Sequence, residues 1–172
     1  MSAIISLGNT NFESSKIYKV ETMEINKGNL DQGGFLKRVD GTRNGFSGFT
    51  MTEKISIPEG YQFVSAYLSG YQRIDPTAGT TPFAFVCFYD SSMNFISSKS
   101  NLDIVLEAIP VATTDPIAYN VARGYASAVI PDNAAYVAFS WYNGKDASSP
   151  TIMAAPVASP DYMVELFFSK RS

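Results

Sequence analysis

The stretches I-P-E-G-Y-Q-F-V-S-A-Y-L (57–68) and I-P-D-N-A-A-Y-V-A-F-S-W (130–141) follow one pattern and decide the fold. In each, an apolar residue meets a proline, an acidic turn residue follows, and a run of alternating aromatic and small residues begins. Proline lacks a backbone donor and fixes φ, so it interrupts a strand, and the Glu-Gly or Asp-Asn that follows favours a turn into the next strand. The pattern therefore predicts two corners, each carrying the chain from one β-sheet to another.

Further strand patterns lie on both sides of these corners. The polar stretch after Tyr89 predicts a β-hairpin that returns through Phe95. A short helix is expected at 101–108, capped by Asn101 and ended by Pro110. With about eight strands, the sequence predicts an all-β fold, an antiparallel β-sandwich of jelly-roll type with at most one short helix. The strand patterns occupy 51–57, 62–68, 83–89, 125–130, 136–142 and 162–168.

The first 45 residues differ from the rest of the chain, being rich in Gly, Asn and Ser. One apolar stretch, Ile17 to Ile25, predicts an edge strand of the domain; an arm that anchors to a partner is the alternative. The 172 residues suffice for one domain with a full core. We therefore divide the chain into an N-terminal arm or first strand, 1–45, open to a role in attachment or oligomerisation, and a jelly-roll β-sandwich, 46–172.

Charge and composition exclude several classes of function. The net charge is −3 and no basic cluster is present, so nucleic acid is not an expected partner. No run of ~18 apolar residues exists to cross a membrane, and the N-terminus lacks the basic and apolar regions of a secretion signal. The chain has no histidine, which argues against Ser-His-Asp and Cys-His catalysis and most zinc sites. The single cysteine, Cys87, lies in an apolar run that predicts a buried side chain.

Carboxylates are the remaining candidates for catalysis, because a glycosidase needs only a pair of them. Glu59, Asp90, Asp103 and Asp132 are available. Glu59, Asp90 and Asp132 lie in predicted turns, where acidic residues are expected for backbone reasons alone. We therefore expect a protein that is not an enzyme and needs no cofactor, although a calcium site built from loop oxygens stays open.

The two strands that follow the Ile-Pro corners are each followed by a loop that combines aromatic and polar residues, beginning at Tyr71 and at Trp141. A sugar ring has apolar C–H faces and a rim of hydroxyls, which suits an aromatic plate beside amide, carboxylate or guanidinium groups. Packing in the core is the alternative for Trp141, because it continues the alternation of Val137 and Phe139. The candidate carbohydrate-binding residues are Tyr71, Arg73, Asp75, Trp141, Tyr142 and Asn143.

The sequences F-V-C-F-Y-D-S-S-M-N-F-I-S and A-V-I-P-D-N-A-A-Y-V-A-F-S-W resemble carbohydrate-binding-like jelly-roll modules. Such modules occur in phage tail-fibre, baseplate and capsid-decoration proteins and in gut bacterial surface proteins. The likeness spans residues 56–141 and consists of turn and core features, so it carries over a fold and not a site.

The resemblance implies a non-enzymatic phage virion structural protein, a fibre or capsid decoration, that adheres to bacterial surface glycans. It further implies a homo-oligomer, with a trimer favoured, that contacts other virion proteins and is located in the virion. The alternative is a carbohydrate-binding or adhesion module of a bacterial surface protein, located at the cell surface or outside the cell.

Overall fold

The computed structural model describes residues 18–23, 30–77, 79–80, 84–100, 104–109, 118–144 and 163–171. These residues form twelve strands, two of them with only two residues each, and no helix. Sheet A contains, in spatial order, β1 (Tyr18–Met23), β12 (Met163–Arg171), β5 (Phe63–Asp75), β10 (Ala118–Val129) and β9 (Ile104–Ile109), with β6 (Gly79–Thr80) beside β5. Sheet B contains β2 (Leu30–Leu36), β3 (Arg43–Thr52), β11 (Tyr136–Tyr142), β7 (Ala84–Tyr89) and β8 (Phe95–Ser100), with β4 (Ile55–Ser56) beside β11.

Every described strand pair is antiparallel, which confirms the predicted all-β antiparallel architecture. The described residues form twelve strands, whereas the sequence predicts about eight. The predicted hairpin after Tyr89 is confirmed as the pair β7 and β8. The jelly-roll connection order stays a prediction.

The two Ile-Pro corners connect the sheets as predicted. The first lies between β4 of sheet B and β5 of sheet A, and the second between β10 of sheet A and β11 of sheet B. Each proline carbonyl accepts a turn hydrogen bond, from the Tyr61 N–H to Pro58 at 3.3 Å and from the Ala134 N–H to Pro131 at 2.9 Å. The corners therefore direct the chain across the sandwich twice.

The main core lies between the two sheets. Successive side chains of a strand point to opposite faces, so one alternating set from each central strand meets its counterpart across the sandwich. Burying each large apolar side chain stabilises the fold by about 1.5–3 kcal/mol. The largest fully buried apolar side chains of this core are Trp141, Phe88, Phe139, Phe168, Leu68 and Leu166.

A second core lies on the other face of sheet B. The alternate side chains of β7 and β11 are buried there as well, namely Phe85, Cys87, Tyr89, Ala138 and Tyr142. This confirms the prediction of a buried Cys87, and burial raises the pKa of its thiol to about 12. Sheet B is therefore covered on both faces.

The loop end of the hairpin formed by β2 and β3 provides this cover. The register of the hairpin shifts near Gly33, whose φ is +132°, and beyond this point the hairpin lies across the outer face of sheet B. Three hydrogen bonds attach it in succession to β11, β7 and β8: the Leu36 N–H donates to Ser140 Oγ (3.1 Å), the Tyr89 hydroxyl to the Gly41 carbonyl (2.7 Å) and the Ser98 hydroxyl to the Arg38 carbonyl (2.9 Å).

Two sequence-based expectations change here. The helix expected at 101–108 is wrong for the part that is described, because Ile104–Ile109 forms strand β9 and pairs with β10. Its β-branched residues favour a strand, and the exposed edge of β10 supplies backbone partners. Of the arm at 1–45, residues 18–23 form the predicted edge strand, and β2 and the start of β3 belong to sheet B, so these strands are part of the sandwich. Residues 1–17 and 24–29 lie outside the described part.

Candidate functional site

The rings of Trp141 and Tyr142, which were candidates to stack on a sugar, are buried. Trp141 is 0% exposed in the main core, and Tyr142 lies in the second core with its ring 5.4 Å from that of Phe49. The core alternative for Trp141 is therefore confirmed, and neither ring offers a face to a ligand at the surface. The alternation that began at Val137 continues to the end of β11 and determines this outcome.

Asn143 and Tyr71 also make contacts that hold the fold together. The Asn143 side-chain amide donates to Thr50 Oγ1 at 2.7 Å, and its backbone N–H donates to the Gly48 carbonyl at 2.7 Å, so it fixes the chain beyond β11 to β3. Tyr71 is buried against Gly144, where a Cβ would lie 2.7 Å from the Tyr71 ring. The later part of β5 and the chain just beyond β11 therefore meet, and they meet by packing.

The remaining two predicted residues lie further along β5. Arg73 is half-buried, and Asp75 ends the strand opposite Gly79. Burial raises the pKa of the Tyr71 hydroxyl, which stays neutral. The structure thus brings Tyr71 and Asn143 to one end of the sandwich, and it does not assemble the predicted residues into an open aromatic site.

An exposed aromatic surface lies instead on the outer face of sheet A. The inward neighbours on β5, β10 and β12 belong to the main core, so the alternate residues face away from it. Tyr125 is 51% exposed, Val129 63% and Phe63 40%. We call this surface the aromatic face; it consists of Phe63, Ser65, Tyr67, Tyr125, Ser127, Val129, Phe167 and Ser169.

The side chains of the aromatic face are arranged as cross-strand pairs. Tyr67 lies opposite Tyr125 with ring centroids 5.3 Å apart, and the Tyr125 ring is 6.3 Å from that of Phe167. Ser65 is paired with Phe167 of β12 and with Ser127 of β10, and its hydroxyl lies 2.7 Å from that of Ser127. None of the eight side chains is charged. The surface thus combines apolar rings with small hydroxyl groups.

The strand pattern at 62–68 does not by itself predict this surface, because the alternate residues Val64 and Ala66 are apolar as well as Phe63 and Tyr67. The signal was present in the alternation of aromatic residues with serine, in F-V-S-A-Y of β5, Y-A-S-A-V of β10 and F-F-S of β12. A serine between two rings on the same face indicates an outer surface more than a second core.

Asp90, one of the candidate carboxylates, has a structural role. Asp90 accepts hydrogen bonds from the backbone N–H groups of Ser92 (2.8 Å) and Asn94 (2.9 Å) and from the Asn94 side chain (3.0 Å). These bonds close the turn between β7 and β8 and lower the pKa of Asp90. Within the described ranges, no three or more His, Cys, Asp or Glu residues form a group that would hold a metal ion.

The fold and the aromatic face define the class of this protein as an antiparallel two-sheet β protein with an exposed aromatic sheet surface. No protein-family model matches the chain, and no curated protein or solved structure matches it significantly. No helix in the described part of the chain has the length and apolar character needed to span a membrane.

Proposed function

We propose that this protein is a non-enzymatic binding module whose aromatic face attaches to carbohydrate, and that it serves as a structural component of a phage virion. The aromatic face supports the first part. The resemblance of residues 56–141 to modules of tail-fibre and capsid-decoration proteins supports the second part. On the same resemblance we also propose that the strands connect in jelly-roll order and that the protein forms a homotrimer.

The chemistry of the aromatic face suits a sugar. The apolar C–H face of a pyranose ring packs on an exposed aromatic ring, and its hydroxyl rim exchanges hydrogen bonds with neutral hydroxyl groups. Tyr125 supplies the most exposed ring, and Ser65 and Ser127 supply hydroxyls beside it. The absence of charge on these side chains favours a neutral glycan over an anionic one.

The non-enzymatic part of the proposal rests on the chemistry of the side chains. The chain has no histidine, and Asp90, which was a candidate acid, holds a hairpin turn in its ionised form. A general acid at neutral pH needs a raised pKa, which is the opposite of the direction at Asp90.

A glycan array tests the proposal with two matched variants. Tyr125→Ser removes the central ring of the aromatic face, and Phe46→Ser removes a ring of similar exposure, 44%, on β3 of sheet B. We expect the wild type and Phe46→Ser to bind the same glycans, and Tyr125→Ser to bind about tenfold less tightly or not at all. Retained binding by folded Tyr125→Ser would contradict the assignment of the site.

Measurement of the molar mass in solution distinguishes a virion protein from a bacterial adhesion module. A stable trimer favours the virion protein, whereas a monomer with glycan affinity favours the alternative, an adhesion module of a bacterial surface protein. If the wild type binds no glycan and Tyr125→Ser converts an oligomer to a monomer, the aromatic face is an interface between copies of the chain, and the carbohydrate assignment fails.

A further inference from the structure

A cavity of about 430 Å³ lies between the loop of the β2–β3 hairpin and the outer face of sheet B, on the opposite sheet from the aromatic face. Its lining includes Asp40 of the hairpin loop, Glu53 and Lys54 after β3, and Tyr89 and Phe95 of the next hairpin. This volume is within the range of sites that hold small molecules. The cavity therefore has room for a small organic ligand.

Two aromatic rings form a fixed corner in this cavity. The ring centroids of Tyr89 and Phe95 are 6.1 Å apart and their planes make an angle of 72°. The Tyr89 hydroxyl donates to the Gly41 carbonyl at 2.7 Å, and a Cβ on Gly41 would lie 2.4 Å from the Phe95 ring. Both rings are therefore held in position before any ligand arrives.

A cation already lies on one ring of this corner, that of Tyr89. The Lys54 ammonium is 3.9 Å from the centroid of the Tyr89 ring and donates to the Met93 carbonyl at 3.3 Å. The negative face of an aromatic ring attracts a cation at this distance. Because Lys54 is an exposed residue on a flexible stem, its ammonium can leave the ring for water.

The charges around the corner favour a positive occupant. Asp40 and Glu53 line the cavity, and hydrogen bonds from Thr42 lower the pKa of Asp40, so that it stays negatively charged. Arg43 also lines it, but its guanidinium is paired with Asp31 through two N–H groups. Burial, together with the neighbouring Cys87 and the charge of Asp40, raises the pKa of Tyr89, so its ring stays neutral.

We propose that this cavity binds a small organic ammonium ion, which takes the position of the Lys54 ammonium on the Tyr89 ring. A quaternary ammonium group suits the corner best, because its charge is spread over methyl groups that pack on both rings, whereas the lysine ammonium is strongly hydrated. The Lys54 side chain then turns towards solvent. This site is independent of the aromatic face and of the carbohydrate assignment.

Choline is the probe, and the uncharged alcohol in which carbon replaces the choline nitrogen is its control for shape. An NMR titration follows the aromatic resonances of Tyr89 and Phe95. Lys54→Met removes the internal competitor and keeps the apolar stem, and Lys99→Met removes an equal charge from an exposed position on β8. Lys54→Gln replaces Lys54→Met if the latter does not give a folded spectrum.

We expect choline to bind with saturation and the uncharged alcohol not to bind. Lys54→Met should bind choline about two- to fivefold more tightly, the factor that corresponds to one lost exposed cation–π contact. Lys99→Met should bind as the wild type does.

Three outcomes would overturn the proposal. Equal binding of the uncharged alcohol would show that charge is not recognised. Weaker binding in Lys54→Met would show that the lysine itself holds the ligand. No saturable change in folded Lys54→Met up to about 50 mM choline would show that there is no site, because one ammonium group in such a corner should bind in the millimolar range.

Discussion

The backbone N–H of Ile57 donates a hydrogen bond to the carbonyl of Ala135 across 2.9 Å. The reciprocal bond runs from the N–H of Ile130 to the carbonyl of Gln62 at 2.8 Å. Each isoleucine that begins a corner is therefore bonded to the residue that ends the other corner. The two Ile-Pro corners lie side by side and hold each other in place at one end of the sandwich.

The two isoleucines differ in burial, which predicts different effects of substitution. Ile130 is 7% exposed in the main core, whereas Ile57 is half-buried at its edge. Ile130→Ala should lower the free energy of unfolding by about 2–5 kcal/mol, and Ile57→Ala by less. Urea denaturation of both variants measures this difference. Equal losses would show that the corners, and not the core, determine the contribution of these side chains.

Gly41 determines how closely the β2–β3 hairpin approaches sheet B. Its φ is +66°, and a Cβ there would lie 2.4 Å from the Phe95 ring. Gly41→Ala should destabilise the protein by about 1–3 kcal/mol or more, through backbone strain and overpacking. Gly45→Ala is the matched control, because its Cβ would meet only Arg43 at 4.0 Å. If thermal denaturation gives equal midpoints for the two variants, the hairpin does not pack on sheet B as described.

The elements that the sequence predicted correctly are those determined by local chemistry. The Ile-Pro corners need only a proline, a turn pair and the strand that follows. The hairpin after Tyr89 needs only its polar turn, which Asp90 closes through residues two and four positions away. The position of Trp141 in the core, which is the alternative to its assignment as a binding residue, follows from the two-residue period that begins at Val137.

The elements that it did not predict depend on distant contacts. The glycine-rich residues 41–48 have no clear strand pattern, yet they contribute to a hairpin that is fixed to sheet B by a hydrogen bond from the Leu36 N–H to Ser140 Oγ, 104 positions away. The exposure of Phe63 and Tyr67 depends on whether another layer covers sheet A, which no local pattern records. Tyr142, one of the candidate binding residues, is buried for a related reason, since the second core that covers it is built by that hairpin.

Acid should destabilise the turn between β7 and β8. The hydrogen bonds from Asn94 and Ser92 hold the pKa of Asp90 below its usual value of about 3.9. A carboxyl with a lower pKa in the folded state contributes stability at pH values above the unfolded pKa, and the contribution is lost as the pH falls through the folded pKa. Asp90→Asn should therefore flatten the decrease in stability below about pH 4, where the usual carboxyl titrates.

Denaturation midpoints measured at a series of pH values check this expectation. Ser91→Ala in the same turn keeps the carboxylate and should keep the wild-type slope. An unchanged slope in Asp90→Asn would show that the turn does not titrate. The slope should decrease without vanishing, because the pKa values of Asp31 and Asp40 are also lowered, by hydrogen bonds from Arg43 and Thr42.

Trp141 is the one tryptophan of the chain and therefore reports directly on the main core. Because it is 0% exposed, its fluorescence should be blue-shifted in the native protein, insensitive to iodide, and red-shifted on unfolding. Trp141→Ala should cost about 3–5 kcal/mol of stability, whereas Trp141→Phe, which keeps most of the volume, should cost less. A glycan bound at the aromatic face should leave this emission unchanged, since the ligand lies on the far side of sheet A. If iodide quenched the Trp141 fluorescence of the native protein, or if a glycan shifted its emission, Trp141 would have to lie at the surface and contact the ligand.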